Sequence, residues 1–328
     1  MKQLPLLILA FFPAWIAAQP VAEVPPFITS NTTWSSDTIY HLSSIVHVKN
    51  DAVLTIQPGT LIKSGLNGGL LITRGAKIMT LGECDRPIVF THDSSDLSYP
   101  KWIGIFILGW APANCTVPYG YCMDDTGNPD PDTHFGGTNP EDNSGILRYV
   151  IIENAGRFYS PSVELGYTGL SLAGVGSGTT IEYVQVIESG GTGISLIGGS
   201  VNLRHLVCKY NRYDNLSITD GYTGNIQFVY AVRKADYSYY FAKALNSENN
   251  DSGNTVDPIS NAAISNMTML IPQQPTNDDL KGAIFLRRQS NSSVYNSAIV
   301  GYYPYGIDRK STRLNSSHST LSRMPSSA

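Results

Sequence analysis

Charge is scarce in this 328-residue chain. Only 15% of residues are Asp, Glu, Lys or Arg, and the formal net charge is −4. Lys and Arg form no basic stripe, which excludes a phosphate-tracking surface and hence nucleic acid as a partner. Histidine is thin as well, six in all. The histidines at 41, 47, 92, 134 and 205 fall into no HExxH or HxxxH spacing, so a zinc-hydrolase helix is excluded. No GxSxG nucleophile elbow is present. Past the first twenty residues no apolar run is long enough to span a bilayer. No segment holds an amphipathic helical period over a useful length.

The two ends are expected to stand outside the fold. Residues 1–18, beginning MKQLPLLILAFFPAWIAA, have a basic start, an apolar centre and small residues at Ala17 and Ala18. They read as a secretory signal peptide, which places the chain outside the cell or on its surface. Residues 308–328, DRKSTRLNSSHSTLSRMPSSA, read as a translated sequencing-library adapter, its two halves matching 308–318 and 322–328 with a short index between. They are expected to be an artefact, to project without strand pairing, and to mark a natural C-terminus that is missing. Setting leader and tail aside makes the chain more acidic.

Cysteine is limited to four residues. Cys115 and Cys122 bracket the turn TVPYGY, so a local disulfide is expected in an extracellular setting. Cys84 and Cys208 count as about five repeats apart, roughly 24 Å at a ~4.8 Å strand spacing. Disulfide bonding needs Cα atoms within about 7 Å, so both are expected to be free, buried thiols.

What the chain does have is a ladder. LRYVII starts at Leu147, IEYVQVI at Ile181, LRHLVC at Leu203 and IQFVYAV at Ile226. Each alternates apolar and polar residues, and Gly, Asn or Ser follows soon after. The last three starts are separated by 22 and then 23 residues, a step that marks a solenoid with one turn of chain per repeat. Earlier segments (TIYHL, IVHV, AVLTI, LIKSG, GGLLITRGAKI, PIVFTHD) carry the same alternation. WIGIFILGW from Trp102 is continuously apolar, as expected of a strand covered on both faces. The spacing predicts an all-β domain over 37–307, with 19–36 as lead-in and cap. Residues 111–144, rich in Gly, Pro, Asn and Asp, are predicted to be one long insertion loop that the core does not pass through.

AVLTIQPGTLIKSG, GGLLITRGAKI, PIVFT, GGTNPEDNSGILRYVIIENAG, GVGSGTTIEYVQV and SVNLRHLV together resemble secreted bacterial β-helix proteins of the kind found in Bacteroidetes. The resemblance covers roughly 30–232. It implies a single-stranded, right-handed parallel β-helix and a secreted or surface-attached protein whose molecular function is poorly defined. Relatives often stack acidic runs on successive rungs. Here one becomes GGTGISLIGG, with no acid, and the next, YDNLSITDGYTGN, keeps only Asp214 and Asp220.

Candidate sites follow from residue chemistry. Asp124, Asp125, Asp130, Asp132, Glu141 and Asp142 cluster in the insertion. Their oxygens suit Ca²⁺, although the spacing matches no EF-hand and the plainer reading is a solvated acidic loop. Asp214 and Asp220 flank what reads as a turn. They can be drawn as a cation site or an acid/base pair, with Arg212 as the basic partner of a lyase, or more plainly as turn-stabilising residues. Tyr237, Tyr239 and Tyr240 lead a tyrosine-rich stretch (Tyr210, Tyr213, Tyr222 and Tyr230 are the others) whose rings suit sugar stacking or ordinary strand packing. Sequons open at Asn31, Asn114, Asn215, Asn250, Asn266 and Asn291. Pectin-acting β-helix hydrolases carry Asn-Thr-Asp, Asp-Asp and Gly-His-Gly runs. Neither the first nor the last occurs here, and the Asp pairs at 124/125 and 278/279 lie outside recognisable rungs. The sequence therefore points to a non-enzymatic module binding an extracellular polysaccharide or a cell-surface component. The alternative is a polysaccharide lyase or glycoside hydrolase, and no cofactor is implied beyond Ca²⁺.

Overall fold

In the computed structural model, which describes residues 18–94, 102–114, 131–157, 168–234, 242–275 and 280–310, the chain coils into a right-handed parallel β-helix. The only helical turn among the described residues is a 3-10 turn at Pro131–Thr133. Every strand pairs in parallel with a strand of a neighbouring coil, and all but those of the first and last coils pair on both sides, which builds a 14-stranded and a 10-stranded sheet. Such crossovers take a right-handed path because right-twisted strands pack back onto their sheet that way.

The repeat step appears directly as register. Leu147 pairs with Ile181, Ile181 with Leu203, Leu203 with Ile226 and Ile226 with Ile264. On the next face Leu170, Ile194, Leu216 and Leu245 align in the same way. Alternation sends these side chains inward, where they form one core running from Val24 to Val294. Burying each contributes about 1.5–3 kcal/mol. The constraint of close stacking is plainest at Gly145, which opens a long strand at φ +114. A Cβ there would lie 2.0 Å from the Ile78 carbonyl oxygen, so only glycine fits.

Early and late coils differ at one corner. In the early coils Val53–Ile56 and Leu61–Ser64 are separate strands joined by the turn QPGT, and Lys77–Leu81 and Ile88–His92 are joined by residues 82–87. From Gly145 on, the two merge into single long strands: Gly145–Glu153, Thr180–Ile187, Asn202–Lys209, Asn225–Val232 and Ala263–Ile271.

Four expectations need correction. Residues 19–36 are not a separate cap: Val21–Glu23, Phe27–Ile28 and Thr32–Trp34 pair with the strands of the following coil, so the ladder begins at Val21. Strand pairing also crosses the boundary at 307. Ile307–Lys310 pairs with Leu280–Arg287, which places Asp308, Arg309 and Lys310 in the ladder, because backbone pairing tolerates any non-proline sequence. Cys84 is free but exposed, whereas Cys208 is free and buried. The coils of Cys84 and Cys208 are three steps apart, not five, about 14 Å at the ~4.8 Å spacing. Cys115 and Cys122 lie outside the described residues.

The fourth concerns the insertion, whose described ends are woven into the body. The outer face of the 10-stranded sheet presents Leu71, Phe106, Leu108, Ala173 and Ile197, and Phe135 and Ala113 cover it as a second apolar cluster. That explains why Ile105–Leu108 is buried on both faces. Residues 111–114 run across successive coils. The Ala111 N–H donates to the Gly174 carbonyl, the Gly199 N–H to the Pro112 carbonyl, and the Asn114 N–H to the Asp220 carbonyl. The Asn114 amide then donates to Asn249 Oδ1 and to the carbonyls of Val256 and Pro258 at 2.8–3.0 Å.

Candidate ligand groove

The corner is made by one residue per coil in the left-handed region, with φ between 41° and 59°: Tyr149, Tyr183, His205, Phe228 and Asn266 inside the long strands, and Asn296 between Ser293–Tyr295 and Ala298–Gly301. Register skips each of the first three. Arg148 pairs with Glu182 and Val150 with Val184, and likewise one coil on, so the corner side chain swings outward. Bulky residues avoid this region, and holding one there costs on the order of 1–3 kcal/mol.

Stacking offsets that cost. The rings of Tyr149 and Tyr183 lie 4.5 Å apart at 11°, Tyr183 and His205 4.5 Å at 5°, and His205 and Phe228 4.9 Å at 7°. Such pairs contribute about 0.5–1.5 kcal/mol each. Because the rings cover one another's faces, the column shows its edges to solvent. Tyr183 and Phe228 are 38% and 45% exposed. Burial, then the neighbouring Tyr183 phenol and Cys84 thiol, push the Tyr149 phenol above its ordinary pKa.

Beside the column runs a floor of outward side chains, again one per coil: Ile151, Gln185, Val207, Tyr230 and Thr268 are register partners. Column and floor line a groove of about 580 Å³ along the helix axis, with Cys84 and Pro87 at one end and Asn266 at the other. That volume falls within the range of small-ligand sites, roughly 300–1,000 Å³. On the other flank of the column Glu182, 7% exposed, is held by Arg148 and, at 3.1 Å, by Arg204. Both arginines remain about half exposed. The groove itself offers a floor of mixed polarity, aromatic edges, phenol hydroxyls and the amides of Gln185 and Asn266, and so suits a ligand rich in oxygen.

The candidates named from sequence lie elsewhere. Asp214 and Asp220 do not flank a turn. They stand at opposite ends of the strand Leu216–Thr219, and six residues of extended chain separate them by about 20 Å. Glycosidase carboxylates need about 5–9.5 Å, so these two are not an acid/base pair. Asp214 is buried, accepts the Lys243 N–H at 2.9 Å and faces Lys243 Nζ at 3.8 Å. Asp220 is pushed up to about 6 by burial, with Asp251 and Glu248 adding to the shift. Arg212 sits near Asp214, its backbone N–H bonded to the Ser189 carbonyl.

Asp132 is engaged as a tether: Lys49 Nζ donates to its Oδ2 at 2.5 Å, and His47 lies 3.1 Å away. Among the described residues no cluster of three or more His, Cys, Asp or Glu is arranged to hold a metal. Asp124, Asp125, Asp130, Tyr237, Tyr239 and Tyr240 lie outside the described residues. Tyr222 is core, its hydroxyl donating to the Val201 carbonyl, whereas Tyr230, 43% exposed, reaches the groove. Asn114 and Asn215 are buried with their amides donating to backbone carbonyls, so those two sequons are closed in the folded chain. The aromatic column itself escaped sequence reading, although its signal was available. Each ring stands two residues after a strand start already recognised, at Leu147, Ile181, Leu203 and Ile226.

No curated protein matches the chain. Among solved structures it is similar to the Dettilon tailspike protein gp208, 9% identical with a TM-score of 0.36 over 84% of this chain and 62% of that one. It is also similar to the enzymatically active domain of bacteriophage CBA120 tailspike protein 2, 12% identical with a TM-score of 0.30, covering 83% and 41%. The full-length tailspike protein 2 from the Escherichia coli O157:H7 bacteriophage CAB120 follows at 13% identity and a TM-score of 0.28, covering 83% and 37%. The chain thus spans less than two thirds of each of these proteins. No helix among the described residues is long and apolar enough to cross a membrane. The family model of a pectate-lyase-like beta helix domain matches residues 26–324, and the chain belongs to that family.

Proposed function

We propose that this protein is a carbohydrate-binding β-helix module that works outside the cell or at its surface. The observation that carries the reading is the axial groove between the aromatic corner column and the outward row from Ile151 to Thr268. A groove with a repeat along its axis matches a ligand that is itself a repeat. The ring edges carry the positive end of the aromatic quadrupole, and with the hydroxyls of Tyr149, Tyr183 and Tyr230 and the amides of Gln185 and Asn266 beside them they favour hydroxyl oxygens. The leader at residues 1–18 supports the extracellular placement, and membership of a pectate-lyase-like family supports a polysaccharide as partner. Cleavage through Asp214 and Asp220 has no support from their separation.

The test is a glycan array printed with plant and bacterial polysaccharides, probed with the wild type and with Tyr230→Ala. Wild-type binding that drops about tenfold or more in Tyr230→Ala, with an unchanged melting temperature, is the expected result. Binding that ignores Tyr230→Ala would move the site elsewhere, and no binding to any printed glycan would overturn the reading.

A further inference from the structure

The groove's two ends are built differently. At the corner where later coils turn in a single residue, the coil before Tyr149 spends six. Leu81 pairs with Arg148 and Ile88 with Val150, so residues 82–87 stand opposite Tyr149 alone. This loop closes on itself, the Glu83 N–H donating to the Arg86 carbonyl and the Arg86 N–H to the Glu83 carbonyl, and its residues 83–86 are exposed. Gly82 is pressed against the Tyr149 backbone, where a Cβ would meet the carbonyl oxygen at 2.5 Å. The loop is tied back to the preceding coil's turn, the Gly59 N–H and Arg86 Nη2 bonding to the Arg86 and Pro58 carbonyls respectively, and its Cys84 and Pro87 line this end of the groove. At the other end nothing comparable stands among the described residues. The corner shrinks from rings to Asn266 and Asn296, and the floor continues from Thr268 to Ala298.

We infer that the groove is end-stopped: it seats the terminus of a glycan chain against the 82–87 loop and lets the rest of the chain leave past Asn266. Internal stretches of a long polymer are excluded, because the chain would have to pass through the loop. From the loop to Asn266 is five coil steps, about 24 Å at the ~4.8 Å strand spacing, so the groove holds about four or five sugar residues. This inference rests on the carbohydrate reading above and adds to it which part of the polymer is recognised.

Isothermal titration of the wild type tests it, using oligogalacturonides, cello-oligosaccharides and chito-oligosaccharides from disaccharide to octasaccharide, each with its parent polymer. Affinity is expected to rise up to about the tetra- or pentasaccharide and then stay flat, and each polymer chain should take up one protein molecule whatever its length. Stoichiometry that grows in proportion to chain length would overturn the end-stop while leaving the carbohydrate reading intact. Absence of heat in all three series and their polymers would overturn the carbohydrate reading, and the end-stop with it. A variant in which Gly82–Pro87 is replaced by a single Asn, copying the corner at Asn266, should convert end binding to length-proportional binding. If that variant folds and still counts chain ends, the loop is not the stop. If it does not fold, the wild-type length series decides alone.

Discussion

At the scale of single residues, the corner column sets two costs against each other. Tyr183 is held at φ +56 and stacks on rings above and below. Truncation to alanine loses both contacts, about 1–3 kcal/mol in sum, and keeps the strained backbone. Glycine loses the same contacts but relieves the backbone. Tyr183→Ala is therefore expected to lower the urea midpoint, and Tyr183→Gly to be at least as stable as Tyr183→Ala despite being smaller. A glycine variant clearly less stable than the alanine one would show that the backbone there is unstrained. The thiols make a second residue-scale contrast. Burial pushes Cys208 up to about 12, while Cys84 sits exposed at the groove's closed end. Iodoacetamide on native protein, followed by peptide mapping, should modify Cys84 and spare Cys208 until the chain is unfolded. Early labelling of Cys208 would contradict its place in the core.

At the scale of elements, the segment 111–114 behaves as a strap and not as the start of a free loop. Asn114→Ala would remove donors to the part-buried Val256 and Pro258 carbonyls and to Asn249 Oδ1, which keeps the Ser260 N–H, and leaving a buried acceptor unpaired costs about 1–3 kcal/mol. The expected outcome is a fall of about 1–3 kcal/mol in stability by denaturant titration, while Asn31→Ala, whose Oδ1 accepts the Val53 N–H at an exposed position where water can replace it, costs less. The first coil is tied by His41, whose imidazole contacts Glu23 at 2.7 Å and Asp93 at 3.1 Å. Partial burial opposes the charge, but Asp93 and Glu23 outweigh it and hold the histidine above its ordinary 6.5. A raised folded value means this contribution is full below 6.5 and is lost as pH rises through the folded value. The melting temperature of the wild type should thus fall toward that of His41→Gln as pH is raised from below 6.5 through the higher folded value. A constant gap across that range would remove His41 from the account. The sequence disclosed strands far better than corners. Strand signals are apolar alternation, which Ile181, Leu203 and Ile226 carry openly. A one-residue left-handed corner has no composition of its own, and here Tyr, Tyr, His, Phe and Asn occupy it in turn. The same gap misled the reading of Asp214 and Asp220: the polar run around them looks like a turn, yet Leu216 and Ile218 between them point into the core.

At the scale of the whole molecule, stability is close to a sum over coils and their interfaces, so it need not be even along the axis. The N-terminal coils are built from strands of two to four residues, such as Phe27–Ile28 and Ile39–Leu42. The central coils are built from strands of eight or nine, such as Gly145–Glu153 and Asn202–Lys209. The strap from Ala111 to Asn114 spans the central coils and reaches Val256 and Pro258, and Phe135 seals their outer face. None of this coupling was visible in the repeat pattern, because a repeat records what each coil shares with its neighbour and not what crosses several at once. The N-terminal coils lack the strap and depend on side-chain ties such as His41 to Glu23 and Asp93. Local opening should therefore start at the N-terminal end, with the strapped coils opening together as one unit. Native-state hydrogen exchange is expected to give opening free energies for amides in 21–56 that are lower by roughly 2 kcal/mol or more than for amides in 145–232. Asn114→Ala should narrow that gap from the central side alone, leaving the N-terminal values where they were. Equal protection along the whole axis, or a drop at 21–56 when Asn114 is changed, would mean that the coils unfold as one block and that the strap adds nothing to the middle of the helix.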